Sequence, residues 1–177
     1  SSDLNTKNSY IKTTKFRILP RNFSNIDGVR KSLEVEEIAT ETYTWNFEKY
    51  LEARKLHLLL TVFYSGNAYK GFFKLANELG LDLKQFFYDL LDNLRTSDEL
   101  RPVIANFMKE TEGELWDSEE ELRDYYEKDE NYQKLLKGNH GGNLLQKYTC
   151  ICYLEHTTEL VNVMERALLG NIKIKND

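Results

Sequence analysis

The residues best suited to chemistry lie near the C-terminus, where Cys150 and Cys152 form a C-x-C pair between His140 and His156. Thiolate and imidazole are ordinary zinc ligands, so this set invites a metal hypothesis. The spacing speaks against it: the neighbouring pattern is helical, and helical residues two apart project about 200° from one another. Both cysteines therefore read as small buried apolar side chains. The loop Gly138-Asn139-His140-Gly141-Gly142 could bring backbone N–H groups to an anion. It has neither the Lys-Ser/Thr pair of a P-loop nor dinucleotide-fingerprint spacing, and reads as a helix terminator and linker. His57, inside the run Leu56 to Leu60, could serve as a general acid or base only beside a partner and a pocket. No partner is identifiable, so it reads as a core or boundary histidine. Asp89 and Asp92 share the helix face opposite an apolar stripe and read as solvated. Glu119, Glu120 and Glu121 open a helix, where carboxylates favour the dipole, and no calcium-loop pattern accompanies them. No catalytic, cofactor-binding or metal-ligating residue is assigned, and no activity is expected of this chain alone.

The elements that carry these residues belong to a chain of 177 residues, 41% hydrophobic, 12% aromatic and 30% charged. That is enough apolar surface for one ordinary domain, and too many aromatics for a disordered polypeptide. The net charge of −5 is unevenly spread. Residues 1–31 hold seven basic and two acidic side chains, and residues 114–131 hold nine acidic and two basic. An acidic chain has no broad footprint for a phosphate backbone, so nucleic acid is not expected as a partner. The basic excess at Lys7, Lys12, Lys15, Arg17, Arg21, Arg30 and Lys31 could instead be a local docking patch. The run from Leu56 to Phe63, interrupted by His57 and Thr61, is far shorter than the roughly 18 residues of a membrane span. No secretory pattern opens the chain and only two cysteines occur, so a reducing cytoplasmic compartment is expected. The opening Ser1-Ser2-Asp3 fits an excerpt of a longer protein or removal of an initiator methionine.

Phe16 to Leu19 and Leu33 to Thr44 alternate and are rich in β-branched residues, predicting a strand pair around a turn at Asn25-Ile26-Asp27-Gly28. The change of apolar phase near Glu36-Glu37 predicts a bulge there. Two strands are marginal alone and must lie on helices or complete a sheet from elsewhere. From residue 46 onward helix is expected. Asn46 caps a helix over 47–64, apolar on nearly all sides in its second half and so expected to be buried. A second helix ends at Gly80. Asp82 caps a third, with Leu83, Phe86, Phe87, Leu90, Leu91 and Leu94 at i, i+3, i+4, i+7 spacing. Thr96 with Glu99 predicts a capping box, and Pro102 fits a first turn. Ser118 with Glu121 starts an acidic, Tyr-rich helix whose charged face should meet water. The final apolar pattern ends at Gly170. The predicted fold class is mainly α, an irregular helical bundle with a short N-terminal β-hairpin or strand pair. Residues 1–45 form a polar lead-in and β connector, and residues 46–177 a helical domain, one structural unit overall.

Three pieces in order carry a family resemblance: Arg17-Ile18-Leu19-Pro20-Arg21-x-Phe23, Glu34-Val35-Glu36-Glu37-Ile38, and Phe47-Glu48-x-Tyr50-Leu51-x-x-Arg54. Together they resemble the region after the catalytic barrel in radical S-adenosylmethionine (radical SAM) proteins of the cobalamin-binding type. The resemblance implies a parent enzyme with a [4Fe–4S] cluster, S-adenosylmethionine and, in that type, cobalamin. This chain lacks the C-x-x-x-C-x-x-C and D-x-H-x-x-G motifs, so those cofactors have no residues here. It implies a non-catalytic C-terminal domain that packs on the catalytic domain of the same polypeptide. The alternative is a free-standing helical protein–protein interaction module, with the Tyr- and acid-rich stretch 114–136 as its first candidate surface.

Overall fold

The computed structural model of the chain describes residues 10–26 and 30–176. It is mainly α, with eight α-helices and one two-stranded antiparallel sheet among the described residues. The chain groups into two compact units. One comprises the segment up to Arg54 together with Lys109–Leu144, the other Lys55–Met108 and the segment from Leu145 onward. No helix among the described residues is long and apolar enough to cross a membrane.

In the first unit, β1 (Ile11–Ile26) pairs with β2 (Arg30–Thr42). The predicted turn falls partly on residues 27–29, outside the described residues. Pairing runs without a break from Thr14 opposite Ala39 to Ile18 opposite Val35, then resumes at Phe23 opposite Leu33. The main bulge therefore lies in β1 at Leu19 to Asn22, and none interrupts β2 at Glu36-Glu37. The apolar phase changes in β2 because the two faces of the hairpin are covered at different ends. Near the turn, Ile18, Phe23, Leu33 and Val35 pack with Leu122, Tyr126, Tyr132 and Leu135. These come from α5 (Glu119–Glu127) and α6 (Asp129–Leu136). Nearer the open end the other face is engaged: Lys15 and Arg17 reach Phe47 and Glu114, and Thr40 is fully buried. Ser118 caps α5 through the N–H of Glu121, and Glu119, Glu120 and Glu121 are exposed, as the sequence predicts.

Asn46 caps α1 (Phe47–Leu60) by accepting from the Lys49 N–H. In the second unit, residues of α1 beyond Lys55 lead into a π-helical turn, Thr61–Ser65. There the Gly66 N–H bonds the Thr61 carbonyl and the Tyr153 hydroxyl donates to the Val62 carbonyl at 2.6 Å. A side chain on Gly66 would collide with that hydroxyl. The predicted all-round burial holds for only one side. Leu58, Leu59, Val62 and Phe63 are buried, but Leu56, Leu60 and Tyr64 are exposed, and His57 lies in solvent rather than in the core.

Next come α2 (Lys70–Glu78), α3 (Leu83–Thr96), α4 (Leu100–Gly113), whose residues from Lys109 belong to the first unit, α7 (Leu144–Glu155) and α8 (Thr157–Asn176). Asp82 caps α3 by accepting from the Lys84 and Gln85 N–H groups. Phe86, Leu90 and Leu94 form the buried stripe of α3, which packs on α8, where Leu160, Val163, Met164 and Ala167 are buried. Each buried Phe, Leu, Val or Met among these contributes about 1.5–3 kcal/mol of hydrophobic stabilisation. Three details depart from expectation. Thr96 does not cap α4: α3 continues through it, its hydroxyl bonds back to the Asn93 carbonyl, and Ser97 accepts from the Leu100 N–H instead. Gly170 does not end α8, because Asn171 beyond it is buried and anchored to the Ala167 carbonyl and Asp89. Asp89 is accordingly half-buried rather than freely solvated.

Candidate functional site

The charge asymmetry of the sequence resolves within the first unit. Arg17, on β1, bonds Glu36 of β2 through Nε at 2.6 Å and Glu114, just past α4, through Nη1 at 2.5 Å. Burial works against the guanidinium, but Glu114 and Glu36 outweigh it and hold its pKa above the ordinary value. For Glu114 the cost of burial outweighs the stabilisation that Arg17 gives its charged form, so its carboxyl titrates above the usual range. Burial also raises the Tyr50 phenol, near the same charges. Lys15 meets Asp117, and Lys31 meets Asp129 and the Glu127 carbonyl. Lys15, Arg17 and Lys31 are thus not a free docking patch. They join the hairpin to the acidic segment.

The tyrosines of that segment point inward, Tyr126 and Tyr132 being buried. Tyr132 is 1% exposed, and its hydroxyl lies 2.6 and 2.7 Å from the carbonyls of Ser24 and Ser32. One proton serves both acceptors. Tyr126 is buried against Trp116 and bonds Nδ1 of His140 at 2.8 Å, and burial drives its phenol pKa well up. Burial and the nearby Lys134 lower the pKa of His140. The Lys134 ammonium donates to the Tyr125 hydroxyl and to Asn131. Trp116 exchanges two backbone hydrogen bonds with Phe16, extending the sheet by one residue on the outer side of β1. These groups bind one another.

Three comparisons bear on identity. No protein-family model, curated protein or solved structure matches this chain.

The residues singled out for chemistry are dispersed. Cys152 is buried, its thiol pushed up to about 11 by burial, while Cys150, on the opposite side of α7, is exposed. His156 faces Glu99 at 3.4 Å, and His140 belongs to the tyrosine cluster. Among the described residues no group of three or more His, Cys, Asp or Glu side chains could hold a metal ion. The Gly138–Gly142 loop has a further task beyond ending α6: the Gly141 carbonyl accepts from the Arg21 N–H at 2.8 Å, docking the loop on the β1 bulge. In the second unit, Tyr64, Ser65, Asn67, Lys70 and Phe73 line an open cavity of about 340 Å³ beside the π-turn.

The open end of the hairpin presents a different surface. Tyr10 is 78% exposed, Ile11 48%, Tyr43 69% and Trp45 39%. They are held together by backbone bonds, Tyr43 N–H to the Tyr10 carbonyl and a Thr42–Trp45 bridge, and the Lys12 ammonium lies 5.0 Å from the Tyr43 ring. Polar spacing hid this group: Tyr10 and Tyr43 are 33 residues apart and meet only when the strands pair. The only sequence signal was the run of aromatics at Tyr43, Trp45 and Phe47.

Proposed function

We propose that this chain is a non-catalytic docking domain: the C-terminal, mainly helical accessory domain of a radical SAM, iron–sulfur-dependent enzyme of the cobalamin-binding type. The family reading rests on the resemblance over Arg17 to Arg54. The docking reading rests on one observation, the exposed Tyr10, Ile11, Tyr43 and Trp45 at the open end of the hairpin. Aromatic side chains offer large contact area at small entropic cost and are enriched at protein interfaces. The occupant implied by the resemblance is the catalytic core of the same polypeptide.

The test has two parts. The coding sequence upstream of Ser1 should contain the C-x-x-x-C-x-x-C motif; a start codon near Ser1 and no such motif would overturn the family reading and favour a free-standing interaction module. Amide exchange at Ile11, Lys12, Tyr43 and Trp45 should then slow when the chain is produced with its upstream region. Unchanged exchange, with the motif present, would remove the hairpin end as the docking surface.

A further inference from the structure

The outer edge of β2 is a second, independent surface, and the register determines which of its backbone groups are free. Phe16 directs both its N–H and its C=O to Trp116, hence away from β2. In an antiparallel ladder, directly opposed residues either exchange both bonds or turn both groups outward. Phe16 opposes Glu37, so Glu37 turns outward, and by the two-residue period so do Val35 and Ala39. Outside the β1–β2 ladder, no hydrogen bond among the described residues reaches these three N–H and three C=O groups. The free stretch has defined limits. At one end Arg123 caps the Leu33 carbonyl, and at the other Thr42 is bridged to Trp45. Glu37 and Ala39 are exposed.

We propose that this edge receives an extended segment of a partner protein in which a basic residue is flanked, two positions away on each side, by apolar ones. Backbone bonds to Val35, Glu37 and Ala39 would hold the strand, and side-chain pairing would select it. Val35, Glu37 and Ala39 share one face, so an apolar residue meets Val35, a cation meets Glu37, and an apolar residue meets Ala39. Glu37 supplies the charge of this face: its carboxylate accepts from the neutral Thr14 hydroxyl at 2.7 Å, whereas Glu36, on the opposite face, is already paired with Arg17. A second copy of this chain is the wrong occupant, because antiparallel pairing about Glu37 opposes Glu37 to itself. A charge at the centre of an edge prevents such self-pairing and, by the same repulsion, favours a cationic strand.

The probe is a capped synthetic peptide alternating threonine with valine, arginine and valine, compared with the same peptide carrying glutamate for arginine. With the arginine peptide, amide exchange at Val35, Glu37 and Ala39 should slow together, and Glu37→Lys should shift preference toward the glutamate peptide by roughly fivefold or more. Ala39→Pro removes only an outward N–H, so it should weaken binding while leaving the thermal midpoint near that of the parent chain. Three outcomes would each overturn the proposal: unchanged exchange at these amides, no change of preference in Glu37→Lys, or a concentration-dependent dimer that protects them without peptide.

Discussion

At the scale of single residues, the interaction with the largest stake is the Arg17 fork, whose side chain is 15% exposed against 20% for Glu114. Removing one member of a buried pair strands the other and costs about 3 kcal/mol, more than the pair itself contributes. Arg17→Met should therefore lower unfolding stability by about 2–4 kcal/mol in denaturant titrations at neutral pH, and adding Glu114→Gln should recover part of that loss. The pH dependence follows from Glu114, whose folded pKa already lies above its ordinary 4.5. A raised carboxyl takes up its proton more readily folded than unfolded, so its effect favours the fold at low pH and is lost as pH rises through the folded pKa. The deficit of Arg17→Met should accordingly be smaller near pH 4.5 than at neutrality. An equal deficit at both would show that Glu114 does not carry it. None of this was legible in the sequence, because Arg17 and Glu114 lie 97 residues apart and no local pattern couples them. Helical geometry did separate the two thiols, but not their environments: both were expected to be buried, and Cys150 is exposed while Cys152 is buried, because only one side of α7 meets the core.

At the scale of elements, the β1 bulge and the Gly138–Gly142 loop form one joint. Arg21 has φ +65° and Gly141 φ +67°, and the two are linked by the hydrogen bond from the Arg21 N–H to the Gly141 carbonyl. Their responses to substitution should be opposite in sign. Arg21→Gly relieves a left-handed conformation that costs an L-residue with a Cβ about 1 kcal/mol, so it should be neutral or stabilising despite the added unfolded-state entropy. Gly141→Ala meets both that strain and a methyl placed 2.9 Å from the Phe23 ring and 3.0 Å from Leu135, so a loss of about 1–3 kcal/mol is expected in thermal or denaturant unfolding. Helix α3, its Asp82 cap and the Ser118 cap could be read directly, since their signals lie within four residues along the chain. The π-turn, the β1 bulge and the continuation of α8 through Gly170 could not, because each is stabilised by a partner distant in sequence: Tyr153, Gly141 and Asp89 respectively.

At the scale of the molecule, the chain passes between its two compact units three times, so each core is assembled from segments that the linear sequence separates. In the first, hairpin residues surround Leu122, Tyr132 and Leu135; in the second, α3 and α8 enclose Leu90 and Met164. The periodicity of each helix announced that it had an apolar face, but not which face would meet it, and the exposed hairpin end emerged only once the strands were paired. Leu90 and Leu122 are both fully buried, and truncating either to alanine removes the same methyl groups and leaves a cavity worth about 2–5 kcal/mol. The two substitutions should nevertheless be distinguishable by hydrogen exchange. Leu90→Ala should reduce protection first in α3 and α8, through lost contacts with the Leu160, Val163 and Met164 side. Leu122→Ala should reduce it first in α5, α6 and the turn-proximal part of the hairpin, where Ile18 and Val35 depend on it. If both variants lost protection at the same amides in the same order, the contact-defined units would not be units of stability, and the hairpin surfaces would open only when the whole chain unfolds.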